Sequence, residues 1–204
     1  VFAVTGGGAM FLNQALGGHN KLRCTFMHHE QACAMAAEGY ARISGKPAVV
    51  MTTSGPGAIN ALNGVYGAFT DSIPMMVISG QIKRETCLSF FDLPELRQLG
   101  DQEGPTIAMA KPVCKYAHLV KSEKDLETAL PQAFIEATSG RPGPTWLDIP
   151  LDIQQSTVQI NIPDPQKIDV ADKSSLRIVC REIIDKLCNS HRPVILGGTG
   201  VRLS

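Results

Sequence analysis

Short apolar runs alternate with helical patterns along the first 150 residues, and this alternation constrains the fold more than anything else in the chain. Val1–Val4 reads as a strand, followed by Gly6-Gly7-Gly8 and a helix over Ala9–Leu16. Arg23–Met27 predicts a strand and Gln31–Ile43 a helix. The Val-rich run Pro47–Thr53 predicts a strand, Gly57–Phe69 a helix and Pro74–Ser79 a strand. Leu88–Gly104 breaks the period and reads as irregular, with short helical turns. The alternation then resumes with a strand at Val113–Val120, a helix at Glu123–Thr138 and a strand at Thr145–Ile149. Runs that are apolar on both faces, with helices between them, point to a doubly wound, mostly parallel α/β sheet with helices on both faces.

Residues 1–150 therefore form the first expected domain. Residues 151–173 carry Pro, Asp and Gln with no sustained period and read as a linker. Ser174–Asn189 is an amphipathic helix, with Leu176, Val179, Cys180, Ile183, Ile184 and Leu187 on one face. Pro193–Leu196 and the glycine turn after it read as a strand opening a second domain, so 174–204 is its expected start. Val1 lies inside an apolar run and the chain ends as abruptly. It therefore reads as an excised piece, and missing targeting signals carry no weight.

A chain of 204 residues that is 44% hydrophobic can bury one sizeable core. Nineteen basic residues balance nineteen acidic ones, so no charge excess points to nucleic acid or an anionic membrane. No apolar run approaches the ~20 residues of a membrane span. The six cysteines form no Cys-x-x-Cys pair and are expected to be reduced, as in a cytoplasmic protein. Cys24, His28, His29 and Cys33 fit no zinc spacing, so no metal site is expected in this chain.

In open parallel sheets, ligands bind beyond the carboxyl ends of the strands. Four such ends stand out: Gly6-Gly7-Gly8, His28-His29-Glu30, Ser54-Gly55-Pro56-Gly57 and Gly80-Gln81. Glycine turns let a ligand approach the backbone, and helix N-termini offer free N–H groups. Each end also has a plainer reading. Tight turns use glycine anyway, Ser54 is a suitable helix cap, and Glu30 fits a first-turn acid favoured by the helix dipole. Of the adjacent His28 and His29, at most one would face a site. Neither a Gly-x-Gly-x-x-Gly dinucleotide turn, a phosphate loop nor a nucleophile elbow is present, which counts against a nicotinamide dehydrogenase.

A longer pattern goes further. His29-Glu30-Gln31, Ala36-Ala37-Glu38-Gly39-Tyr40-Ala41-Arg42, Thr53-Ser54-Gly55-Pro56-Gly57-Ala58-x-Asn60, Asp71-Ser72-Ile73-Pro74, Ser79-Gly80-Gln81 and Gly140-Arg141-Pro142-Gly143-Pro144 occur in that order. The chain resembles the N-terminal, pyrimidine-binding domain of thiamine-diphosphate enzymes of the acetolactate synthase type, a branched-chain amino acid biosynthesis family. The resemblance implies that Glu30 hydrogen-bonds the N1′ atom of the aminopyrimidine and promotes loss of the thiazolium C2 proton. The activated cofactor then decarboxylates a 2-keto acid such as pyruvate and adds to a second carbonyl. This role asks for a dry pocket around the carboxyl group, which the small-residue helix Ala32–Ala37 suits.

By the same resemblance, Pro56 and Asn60 contact the pyrimidine, Gln102 faces the cofactor or substrate, and Gly8, Ala9 and Lys115 lie by the substrate. Ser72 and Arg141 match positions that touch FAD in flavin-containing members, although an Arg-Pro-Gly-Pro turn occurs with or without flavin. Mg²⁺ and the diphosphate are held in these enzymes by a Gly-Asp-Gly segment of a C-terminal domain. This chain lacks that segment and alone is expected to be inactive. A second subunit completes the site, implying a homodimer or homotetramer. Two departures fall beside the substrate space: Gly100-Asp101-Gln102-Glu103 replaces Ala-Phe-Gln-Glu, and Thr5-Gly6-Gly7-Gly8-Ala9 replaces Tyr-Pro-Gly-Gly-Ala. They leave open a decarboxylase, or a carboligase with another acceptor. A non-catalytic binding domain is a further alternative, which the retained Glu30 argues against.

Overall fold

The computed structural model describes residues 1–161, 173–198 and 200–203. The chain divides into two compact units, Val1–Pro165 and Gln166–Ser204. In the first, the strands are β1 (Phe2–Ala3), β2 (Thr25–Phe26), β3 (Ala48–Thr52), β4 (Met75–Gln81), β5 (Tyr116–Leu119) and β6 (Pro144–Pro150). The helices are α1 (Met10–Gly18), α2 (Glu30–Ser44), α3 (Pro56–Thr70), α4 (Thr106–Ala110), α5 (Glu123–Thr138) and α6 (Leu151–Gln154). All six strands pair in parallel in the order β2-β1-β3-β4-β6-β5. The chain winds outward on both sides of β1 and β3, so the strand order reverses between them. That reversal opens a crevice at the strands' carboxyl ends.

The inner strands are buried because helices cover both faces. Every residue of β6 is buried, as are Met75, Val77, Ser79, Gly80 and Gln81 of β4. The main core joins Val50, Met75, Val77 and Trp146 of the sheet to Ala34, Ala37, Ala58, Ala61 and Val65 of α2 and α3. Small residues set that packing. A Cβ on Gly64 would lie 2.6 Å from the Ala34 Cβ, so α3 crosses α2 with almost no side chain between them. The alanine-rich sequence of α2 is thus first a packing requirement.

The structure departs from local reading in three places. Residues 106–113 form α4 and a 3₁₀ turn, so β5 begins only at Tyr116. The strand expected over Val113–Val120 is therefore shorter: Val113 closes the 3₁₀ turn that Pro112 opens, and only Tyr116–Leu119 pairs with β6. Ile153 of α6 is fully buried, so the packed first unit continues beyond β6. Residues 162–172 of the expected linker lie outside the described residues. In the second unit, α7 (Lys173–Cys188) matches the amphipathic pattern, with Leu176, Val179, Ile183 and Ile184 exposed along it. Pro193–Leu196 is not a strand among the described residues. It is irregular and is followed by α8 (Gly200–Leu203), because a strand needs a neighbouring ladder and none is present there.

Candidate functional site

A cavity of about 600 Å³ lies at the carboxyl ends of the strands. Its wall comes from four chain reversals: Gly7 and Gly8 after β1, Glu30 after β2, Thr53, Ser54, Pro56 and Gly57 after β3, and Ile82, Lys83 and Thr86 after β4. Asp101, Gln102 and Leu151 complete it.

Close backbone approach explains the glycines. A Cβ on Gly6 would lie 2.5 Å from the Thr53 Cβ, and one on Gly8 would lie 2.6 Å from the Ser54 Oγ. The Gly8 N–H donates to Thr53 Oγ1 at 3.0 Å, and Gln154 of α6 donates to the Gly8 carbonyl at 2.8 Å. The triple-glycine turn is therefore seated on the end of β3 and clamped from α6. Gly7 is different: a Cβ there would meet nothing within 4 Å, and it faces the cavity. Ala9 is fully buried and does not line the cavity, so the wall runs through Gly7 and Gly8 rather than Gly8 and Ala9.

Glu30 is the first residue of α2 and is half-buried. Its Oε2 accepts from Asn60 Nδ2 at 2.7 Å. Gly57 packs closely here: a Cβ on it would sit 2.7 Å from Thr53 Cγ2 and 3.3 Å from Glu30 Oε1. Asn60 lies on α3, and α3 starts immediately after the β3 turn. Packing α2 against α3 is thus what brings an amide 30 residues away onto the carboxylate. His29 precedes α2 in extended conformation, with Nε2 3.3 Å from the same amide. His28 is exposed and does not line the cavity.

The helix cap differs from expectation. Gly55, with φ +52°, stands at the start of α3, and no side chain caps it. The Ser54 carbonyl accepts from Gly57 N–H at 3.2 Å, while the Ser54 side chain packs under Gly8. A Cβ on Gly55 would fall 2.2 Å from the Gln102 carbonyl oxygen, so glycine is required by both space and φ. Gln102 itself has φ +60°, and Pro56 and Gln102 both face the cavity. Glu103 accepts backbone N–H groups from Leu88, Leu99 and Gly100, which ties this loop down. Asp101 lines the cavity and has no ion pair among the described residues.

Lys115 is not at this site. Its ammonium donates to the Glu136 and Ser139 carbonyls and lines a second cavity with Arg141. The close spacing of Lys115 to β5 carries it to the other end of that strand, where the side chain caps α5. Arg141 Nε donates to Ser72 Oγ at 2.6 Å, so these two residues meet although 69 positions apart. Sequence reasoning missed Ile82, Lys83, Thr86 and Leu151. The available signal was position: Ile82 and Lys83 directly follow Gly80-Gln81, already marked as a strand end.

Beneath the cavity lies a buried polar chain. Trp146 Nε1 donates to Ser79 Oγ at 2.8 Å, and Ser79 donates to Asp148 Oδ1 at 2.6 Å. Gln81 Nε2 donates to Asp148 Oδ2 at 2.9 Å and to the Gly104 carbonyl at 3.2 Å. Complete burial pushes the Asp148 carboxyl up from 3.8 to about 7, against the pull of its Ser79 and Gln81 hydrogen bonds. A raised folded value means that protonated Asp148 contributes stability fully below 3.8, and this contribution is lost as pH rises through about 7. Each pKa unit is worth about 1.4 kcal/mol, so the change amounts to a few kcal/mol. Relative to Asp148→Asn, the wild-type protein is expected to lose stability between about pH 5 and pH 8. Urea unfolding of both at the two pH values checks this, and parallel changes refute it.

Among the described residues no cluster of His, Cys, Asp and Glu is arranged to hold a metal ion, and no helix is long and apolar enough to cross a membrane. All six cysteines are free thiols, and burial pushes Cys33 up to about 11 and Cys114 to about 12.

The parallel sheet, the glycine-walled crevice at its switch point and the single carboxyl on a helix start define an α/β cofactor-binding domain. Residues 1–103 match the family model described as "Thiamine pyrophosphate enzyme, N-terminal TPP binding domain", and the chain belongs to this family. It is 36% identical to the chloroplastic acetolactate synthase of Arabidopsis thaliana, over 98% of this chain and 29% of that protein. It is 35% identical to the acetolactate synthase large subunit of Buchnera aphidicola subsp. Schizaphis graminum, over 98% of this chain and 34% of that protein. The large subunit from Lactococcus lactis is 31% identical, over 100% of this chain and 34% of its own length. The chain thus spans about a third of the length of the curated relatives it matches.

Proposed function

We propose that the whole protein is a thiamine-diphosphate enzyme of the acetolactate synthase type, which decarboxylates a 2-keto acid, pyruvate, and joins the remaining fragment to a second keto acid. The observation that carries this reading is Glu30: a carboxyl group on the cavity wall, held by Asn60 and lying close beside Gly57. A flat ring nitrogen fits such a cradle. When bound, thiamine diphosphate supplies the carbanion chemistry at its C2 atom. Glu30 holds a proton for the ring nitrogen, Asn60 fixes the orientation of the carboxyl, and Pro56 and the glycine turns shape the wall. The Thr53–Gly8 and Gln154–Gly8 hydrogen bonds keep that wall in place.

Mg²⁺ and the diphosphate belong, in this proposal, to another domain of a second subunit, and the enzyme is a homodimer or homotetramer of the cytoplasm. FAD is proposed on the Ser72–Arg141 pair beside the second cavity. The competing reading, a decarboxylase or a carboligase of different acceptor, is favoured by one residue. Asp101 puts on the cavity wall a carboxyl group that has no ion partner among the described residues, and an acceptor's own carboxylate would be repelled there. Two unit charges about 4 Å apart cost ~4 kcal/mol at an effective dielectric near 20. Full-length enzyme given pyruvate alone is expected to form acetolactate. Carbon dioxide release without acetolactate would replace the name with the competing one.

A further inference from the structure

We propose that Lys83 recognises the carboxylate of the keto-acid substrate. The proposal rests on the function above and specifies which side chain selects the substrate's charge. Among the described residues lining the cavity, Lys83 carries the one positive charge, against the carboxyl groups of Glu30 and Asp101. A wall with carboxyl groups and no cation offers an anion no charged partner, and one flexible ammonium on that wall supplies one.

The neighbouring cations are committed elsewhere. Arg84 Nε donates to Asp152 Oδ2 at 2.6 Å, its Nη1 to the Lys121 carbonyl at 3.1 Å, and its Nη2 lies 3.4 Å from Glu123. Burial opposes ionisation of Asp152, but the Arg84 hydrogen bonds outweigh it and hold its carboxyl below the usual range. Lys83 is barely engaged by comparison. Its Nζ lies 3.3 Å from Glu85 Oε1, with the two side chains 56% and 74% exposed, and such a pair exchanges readily for a ligand.

The backbone beneath Lys83 is held firmly. Arg84 N–H donates to Asp152 Oδ1 at 3.1 Å, and Thr86 Oγ1 donates to the Lys83 carbonyl at 3.3 Å. Asp152 belongs to α6, whose Leu151 also lines the cavity. A fixed Cα at the end of β4 with a loosely held ammonium is what capture of a mobile carboxylate requires. The sheet places this residue at the same strand ends as Glu30, so recognition and chemistry share one cavity.

Steady-state kinetics of the full-length holoenzyme with pyruvate test this, alongside hydrogen–deuterium exchange at C2 of the bound cofactor. Lys83→Met is expected to raise KM for pyruvate about ten-fold or more, as loss of a charged hydrogen bond does. The exchange rate should stay at the wild-type value, and Lys83→Arg should recover most of the loss. An unchanged KM in Lys83→Met overturns the proposal. So does a fall in C2 exchange in step with the loss of activity, which would mark a structural role. A wild-type enzyme that exchanges C2–H yet releases no carbon dioxide from pyruvate overturns the function itself, and this assignment with it. The wild-type control separates that outcome from the other two.

Discussion

Glu30→Gln is expected to slow cofactor activation in the full-length enzyme by about 10²–10⁴-fold, the usual worth of a positioned proton-transfer group. Asn60 already occupies Oε2, so Oε1, on the same cavity wall, is the oxygen left to meet a ring nitrogen. An amide in that place keeps the shape and can still accept from Asn60, but it holds no exchangeable acid proton. Stability should change little. Glu30 is half-buried at the first turn of α2, and losing its favourable interaction with the helix dipole costs about 0.3–1 kcal/mol. Hydrogen–deuterium exchange at C2 of the bound cofactor measures the effect apart from substrate steps. An unchanged exchange rate would reduce Glu30 to a helix-start acid.

Gly80→Ala should be the most damaging of the small substitutions. The new Cβ would lie 2.0 Å from the Gly8 carbonyl oxygen, 2.5 Å from the Gly8 carbonyl carbon and 2.7 Å from the Ala9 Cα. These are backbone atoms of a turn clamped by Thr53 and Gln154, so no side-chain rotation relieves the clash. Either β4 shifts within its ladders to β3 and β6 or the glycine turn leaves the end of β3. Overpacking of this kind costs about 3 kcal/mol or more, or a fall in melting temperature of about 6–12 °C for a unit of this size. Gly7→Ala is the control: its Cβ meets nothing within 4 Å and should leave the melting temperature near wild type. Thermal unfolding of both variants decides the matter, and equal melting temperatures would refute the packing argument.

Local pattern was enough for the alternation of strands and helices, because side-chain period and glycine or proline punctuation act over a few residues. Glu123–Thr138 came out with the predicted bounds, since Ser122 caps it directly by accepting from Asp125 N–H. The strand-end junctions were equally legible, and Glu30, Pro56, Gly8 and Gln102 do share one cavity. The longer ordered motifs then pointed to the family that the comparison of residues 1–103 establishes.

Strand order and everything that crosses it were decided by the tertiary structure. No local signal says that Ser79 and Gln81 reach Asp148 on the neighbouring strand, or that Arg141 meets Ser72. Lys115 was expected near the substrate, yet it caps α5 at the opposite end of β5. Lys83 stands in a loop of ordinary composition, and only the fold puts it on the cavity wall. The reason is physical. Period and turn chemistry depend on neighbours in sequence, whereas register, strand order and the facing of a loop depend on which apolar surfaces bury each other across the sheet.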